Sequence, residues 1–159
     1  MDKWDKRFME LAHSIAEWSS CYQENRKVGA IIVRNKRILT TGYNGAPSGI
    51  QNCMERKECL RRKRNIPSGT HQEICYAIHA EQNAIIQAAK LGVSIEDATL
   101  YCTHQPCVIC AKMMINAGIA RVVYEKGYPD SFSMEIFAEA GVKIQRYEEQ
   151  TSPPDGEPA

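Results

Sequence analysis

The chain has 159 residues, which suits one compact domain and crowds two. Hydrophobic residues make up 43% and charged residues 25%, and the formal net charge of +1 provides no broad field to gather nucleic acid or an acidic membrane, so any anion must be recognised locally. No apolar run approaches the roughly 20 residues that span a bilayer, no secretory signal follows Met1, and seven cysteines without such a signal point to the reducing cytoplasm, where clustered thiols bind metal or do chemistry.

Trp4, Phe8, Leu11, Ile15 and Trp18 alternate at spacings of four and three, the apolar stripe of a first helix facing a core. Val28 to Val33 and Ile38 to Tyr43 are β-rich runs joined by a turn at Arg34-Asn35-Lys36-Arg37. Asn44 to Gly49 is loop chemistry. Residues 52–72 are polar, rich in Arg, Lys and Cys, and aperiodic. They read as a surface insertion longer than an ordinary connection, which implies a function or an added restraint. Ala80 to Lys90 is helical, with Ala80, Ala84, Ile85 and Ala88 on one face and Gly92 as its stop. Thr99 to Thr103 is a strand. Cys107 to Ala117 is a helix with Pro106 at its first turn and Gly118 just past its end. Arg121 to Tyr124 is a strand, Phe132 to Ala140 a helix, and Val142 to Tyr147 a last strand. Residues 1–148 thus make a single domain, and 149–159 a disordered, proline-bearing tail. Alternating strands and helices in the second half imply right-handed crossovers and parallel pairing, and the opening hairpin makes the sheet mixed. The expected fold class is α/β, a three-layer α/β/α sandwich around a mixed sheet of about five strands.

Two short pieces carry the chemistry. His79-Ala80-Glu81 opens one predicted helix, and Pro106-Cys107-Val108-Ile109-Cys110 opens the next, with a strand between them. Cys107 and Cys110 share one side of a first helical turn, where free N–H groups and the positive helix end favour thiolates. With His79 they form a set of two sulfurs and one nitrogen that suits Zn²⁺ and leaves a fourth position for water, the mark of a catalytic zinc. Glu81 is no ligand in this reading; it sits beside that water as general acid and base. A lone C-x-x-C would equally describe a structural zinc site or a redox pair, but neither needs His79 or Glu81. H-x-E followed by P-C-x-x-C is the signature of zinc deaminases acting on nucleobases.

At these residues the chain resembles the deoxycytidylate (dCMP) deaminase family of the cytidine deaminase superfamily, from about Phe8 to about Ile144. The likeness rests on Lys27-Val28-Gly29-Ala30, on Gly42-Tyr43-Asn44-Gly45-Ala46-Pro47, on Ile78-His79-Ala80-Glu81-Gln82-Asn83-Ala84-Ile85, and on the Pro-Cys helix followed by Asn116-Ala117-Gly118-Ile119. The resemblance implies a cytidine deaminase-like fold and conversion of dCMP to dUMP with release of ammonia, supplying dUMP for thymidylate synthesis. It assigns Asn44 to the nucleotide near its sugar, the backbone of Ala80 to the pyrimidine carbonyl, Tyr128 to stacking on the base and Lys90 to the phosphate. It also implies a homo-oligomer, often a hexamer, with dCTP as activator and dTTP as inhibitor. Some members hold a second, structural zinc, and Cys21, Cys53, His71 and Cys75 fall at comparable places here, with Cys59 as a spare ligand; a metal would hold an insertion that has little apolar area of its own.

Cys102 reads as core, and His104 as a neighbour of the catalytic turn. Arg26, Lys27 and Arg61-Arg62-Lys63-Arg64 are local cations whose ordinary reading is a solvated face. Rival readings are a zinc deaminase of free cytidine, deoxycytidine or guanine, an editor of tRNA adenosine, or a nonenzymatic zinc-stabilised DNA-uptake or binding relative. The low net charge disfavours an RNA partner, and Glu81 disfavours a zinc that is only structural.

Overall fold

Asn35 and Lys36 sit at φ 50° and 60°, the mirror-image two-residue turn whose twist matches a β-hairpin. They join β1, Gly29–Arg34, to β2, Arg37–Tyr43. The structure, a computed structural model, describes residues 1–127 and 130–149. Three more strands complete the sheet: β3, Thr99–His104; β4, Arg121–Lys126; and β5, Lys143–Arg146. Their order is β2-β1-β3-β4-β5. Strand β1 runs antiparallel to both β2 and β3, while β3, β4 and β5 are parallel, so the sheet is mixed as expected.

The first helix, α1, spans Lys3–Ala16. The Asp2 carboxylate accepts from the amides of Trp4 and Asp5, and the Asp5 carboxylate accepts from the Asp2 N–H, which closes a capping box. Phe8 and Ile15 of the expected stripe are buried, with Met9, Ala12 and Ala16 beside them. Trp18 departs from the expectation. The chain leaves the helix at Glu17 so that the Ser19 hydroxyl can donate to the Asn44 carbonyl, and Trp18 is left 64% exposed, edge-on to Tyr43.

Residues 52–72 hold two single-turn helices, α2 (Cys53–Arg56) and α3 (Leu60–Lys63). Asn52 and Glu55 cap α2 reciprocally, and the Arg61 guanidinium donates to the carbonyls of Pro67, Thr70 and His71. The insertion is therefore tied to itself by polar bonds. Among the described residues no helix is long and apolar enough to cross a membrane.

Helices α4 (Ala80–Leu91), α5 (Val108–Asn116) and α6 (Ser131–Glu139) cover one face of the sheet, and α1 covers the other. Gly92 and Gly118, at φ 66° and 85°, end α4 and α5 where the sequence placed their stops. Ala30, Ile32, Leu100, Cys102 and Val122 point toward α4–α6, and Ile31, Val33, Tyr101 and Val123 toward α1. Both faces of the central strands are buried, which is why β1 reads as an unbroken apolar run. On the α1 side a polar tie reaches across the fold. Arg121 makes a two-pronged contact with Asp5, at 2.8 and 3.1 Å, and the Tyr101 hydroxyl donates to the same carboxylate at 2.7 Å. Burial pushes the Asp5 carboxyl up, but the hydrogen bonds from Arg121 and Tyr101 outweigh it and hold the group below its ordinary value.

Two glycines let helices lie directly on the sheet. A Cβ at Gly29 would run into the α1 backbone at Ala12 and Ala16, and one at Gly42 into the α4 backbone at Ala80 and Ala84. Gly42→Ala should therefore cost about 1–3 kcal/mol as an overpacked contact. That predicts a Tm lower by roughly 2–4 °C per kcal/mol, read by thermal denaturation. Gly127→Ala, where an added Cβ meets nothing within 4 Å, should melt like the wild type.

Candidate metal centre

The end of β3 and the start of α4 and α5 meet at one edge of the sheet. His79 is the N-cap of α4 and Cys107 the N-cap of α5, each with extended backbone, and Cys110 lies in the first turn of α5. The Gln82 side chain accepts from the His79 N–H at 3.0 Å and so sets the histidine backbone. His79 Nδ1 lies 3.6 Å from Cys107 Sγ and 3.3 Å from Cys110 Sγ. A tetrahedral zinc with ordinary bond lengths needs a nitrogen–sulfur separation of about 3.5 Å, so the three donors are already at ligand spacing. Among the described residues this is the one group of three or more potential metal-ligating side chains whose donor atoms all lie within 4.8 Å of one another. The donor set fits zinc.

Electrostatics at the cluster favour a metal. The hydrogen bond from Cys110 and the neighbouring His79 draw Cys107 down to about 4 against the opposing effect of burial, while the same thiol–thiol bond and burial hold Cys110 up. Contact with Cys107 raises His79. Cys107 is thus held toward the thiolate form that a metal binds. Glu81, in the first turn of α4, is 4% exposed, and burial raises its carboxyl above the ordinary range. Its Oε2 lies 3.8 Å from Cys110 Sγ, beside the donor set and outside it. A buried carboxyl with a raised pKa next to a three-donor metal site can both take and return a proton at neutral pH.

The other expected residues divide. Asn44 lies at the same edge, and its carboxamide is already half used: Oδ1 accepts from the Val28 N–H and Nδ2 donates to the Arg26 carbonyl, both at 2.8 Å. One acceptor site and one N–H remain to it. Ala80, first residue of α4, has by position a backbone N–H with no partner inside the helix. Lys90 lies in the last turn of α4, roughly 15 Å along the helix from Ala80, and is exposed. Tyr128 lies outside the described residues. Arg26 and Lys27 stand at this edge, Arg26 bonded to the Ser68 hydroxyl and Lys27 paired with Glu24.

For the second expected set, Cys21 and Cys53 are raised first by burial and then by the thiols around them: Cys75 and Cys59 act on Cys21, and Cys75, Cys21 and Cys59 on Cys53. Cys59 is pulled lower than usual despite burial, by the Arg62 amide and by Gln23, whose Nε2 donates to its sulfur. His71 turns outward, with a largely exposed ring against Glu73. The four cysteines are electrostatic neighbours, but they are not drawn to ligand spacing.

Several residues of the site escaped the sequence reading. The Asp130 carboxylate caps α6 through the Ser133 N–H and also accepts from the Val108 N–H of α5, at 3.0 and 2.8 Å. Its place before a helix signals the first bond; nothing local signals the second. Asn83, inside the recognised motif, donates to the Tyr43 carbonyl and ties α4 to the end of β2. The Thr103 hydroxyl accepts from the Gly29 N–H and contacts His104 Nδ1.

The profile of the family described as the cytidine and deoxycytidylate deaminase zinc-binding region matches residues 2–126. The chain is 38% identical over 145 residues to a deoxycytidylate deaminase of Schizosaccharomyces pombe, covering 91% of this chain and 44% of that protein. It is 38% identical over 146 residues to ComE operon protein 2 of Bacillus subtilis, covering 91% and 71%. The chain thus spans less than half of the yeast relative. A solved structure of the dCMP deaminase of cyanophage S-TIM5 in complex with dCMP and dUMP superposes with a TM-score of 0.73 at 32% identity, over 92% of this chain and 99% of that one.

Burial, followed by the charge of Lys126, lowers His104 to about 4, so its ring is neutral in the folded protein at pH 7. An unfolded histidine takes its proton near pH 6.5. The unfolded state therefore binds more protons between about pH 6.5 and 4, and stability should fall as pH drops through that window. Denaturant titrations should show a flatter pH dependence for His104→Gln across the same interval.

Proposed function

Because this chain belongs to the cytidine and deoxycytidylate deaminase family, we propose that it hydrolyses dCMP to dUMP and ammonia. The observation that carries the reading is the buried Glu81 carboxyl beside the His79, Cys107 and Cys110 donors. A zinc ion held by those three side chains supplies Lewis acidity that brings the pKa of water toward neutrality. Glu81 takes a proton from the water that adds to C4 of the cytosine, delivers one to ring N3 and passes another to the departing amine. The C4–NH₂ bond breaks, a C4 carbonyl remains, and the products sum to substrate plus water.

The chain's own residues place the base. The N–H of Ala80, at the positive end of α4, reads the pyrimidine carbonyl. Asn44 uses its remaining hydrogen-bonding capacity on the sugar while bracing residues 26–28, and Tyr128 stacks on the ring. The position of Lys90 gives no support to a phosphate contact; Arg26 and Lys27, at the edge where the site opens, are the cations within the same loop cluster. We further assign the protein to a cytoplasmic homo-oligomer, a hexamer in the family's manner, activated by dCTP and inhibited by dTTP. Mass measurement and effector titration decide both.

Ammonia release from dCMP, deoxycytidine and dCTP under matched conditions tests the substrate. Turnover of dCMP alone is expected. Turnover of deoxycytidine or dCTP in its place would keep the chemistry and reject the substrate. Glu81→Gln should retain its zinc and lose at least 10²-fold in kcat, roughly the contribution of a positioned general acid and base.

We also propose a second, structural zinc in the insertion, held by Cys21, Cys53, Cys75 and Cys59, with Cys59 in the place first given to His71. Its support is the mutual electrostatic influence of the four thiols and the outward turn of His71. Metal analysis should find two zinc ions per chain in the wild type and in His71→Ala, and one in Cys59→Ser. A single ion in the wild type would reject the site.

A further inference from the structure

Cys102 has the marks of a core residue: it is fully buried on β3, between Ala30 and Tyr124 of the neighbouring strands, with its side chain in the apolar cluster under α4 and α5. Its sulfur nevertheless sits between the His104 backbone N–H and the reactive carboxyl. Cys102 Sγ donates to Glu81 Oε1 over 3.4 Å, while Oε2 faces Cys110 at 3.8 Å. A thiolate that ligates a metal has no proton to donate, so the Cys110 contact cannot hold the carboxylate once the centre is loaded. Apart from Glu81's own backbone N–H, the Cys102 thiol is then the donor that the described residues offer to this carboxyl.

We propose that Cys102 is a positioning residue that pins Glu81 Oε1 and so fixes the plane in which the carboxyl faces the donor set. The geometry supplies the reason. A carboxylate free to rotate about its terminal bond faces the donor set squarely only part of the time; a donor fixed on a central strand removes that freedom. Position on the sheet also keeps the donor still, since Cys102 is flanked by paired strands on both sides and cannot follow a rotating carboxyl. The step itself is unchanged: the thiol keeps its proton throughout and no bond to sulfur forms.

The inference rests on the deaminase reading, and its test has two arms that separate the two. In the zinc-loaded protein, Cys102→Val removes the donor while adding about one methyl group to the core, and Cys102→Ser restores a donor. Loss of one neutral hydrogen bond predicts a kcat on dCMP lower by roughly 3- to 10-fold in the Val variant, with KM and zinc content unchanged and most of the rate recovered in the Ser variant. Wild-type kcat in Cys102→Val, or equal losses in Val and Ser, would overturn it. The second arm needs no turnover. The S–H stretching band of Cys102, isolated by infrared difference between wild type and Cys102→Ala, should lie at the lowered frequency of a hydrogen-bonded thiol and rise when Glu81 is replaced by Ala. A band at the same frequency with and without Glu81 overturns the contact, even if dCMP proves to be the wrong substrate.

Discussion

The site depends on how closely helix α4 can lie on the edge hairpin. Gly42 on β2 leaves room for the α4 backbone at Ala80 and Ala84, and any larger residue would lift that helix at its first turn. That turn holds His79 and Glu81. The depth of one strand–helix contact therefore sets the position of a metal ligand and of the group that moves protons beside it. Asn83, bonded to the Tyr43 carbonyl, ties the same turn to the end of the same strand. The partner helix is held differently. α5 follows β3 through a short turn, and the Asp130 carboxylate accepts from its Val108 N–H, so the two thiol ligands are braced by the loop that begins the next helix. Outer-shell bonds of this kind orient metal ligands and tune them, and here they come from three separate stretches of chain.

Much of this was legible in the sequence because the information is local. Pro and Gly at helix ends, the Asn35-Lys36 turn and the two helix starts bearing His79 and Cys107 declare themselves within a few residues. The metal triad was readable for the same reason: each ligand sits at a helix start, where cap chemistry is written in the neighbouring residues. What was not legible depends on contacts far apart in the chain. Trp18 continues the spacing of a helical stripe, but a hydrogen bond between Ser19 and Asn44 pulls the chain away before the helix reaches it. Lys90 has the right charge and the wrong end of α4. Cys102 and Glu81 are twenty-one positions apart, and nothing in either segment announces that a strand will bring the thiol to the carboxyl.

The insertion shows the same division. Its composition marks it as polar and in need of restraint, and the sequence could name five candidate ligands without ranking them. The ranking comes from the loop path. Arg61 gathers the carbonyls of Pro67, Thr70 and His71, and in doing so turns the His71 ring outward against Glu73, while Gln23 reaches Cys59 from beyond the first helix. A charged run that reads as a solvated face thus contains one arginine committed to shaping the backbone.

The pairing of Asp5 with Arg121 joins positions 116 residues apart. Helix α1 lies against β1 and β3, and its carboxylate takes hydrogen bonds from Tyr101 on β3 and from Arg121 on β4. On a ribosome, α1 emerges before the strands it packs on, and at 5–20 residues per second Arg121 follows on the order of ten seconds later. Until β3 has been made, Phe8, Met9 and Ile15 lack most of the sheet that covers them, and until β4 has been made Asp5 lacks its guanidinium. A nascent chain halted before β3 would present that apolar stripe to chaperones and to other chains.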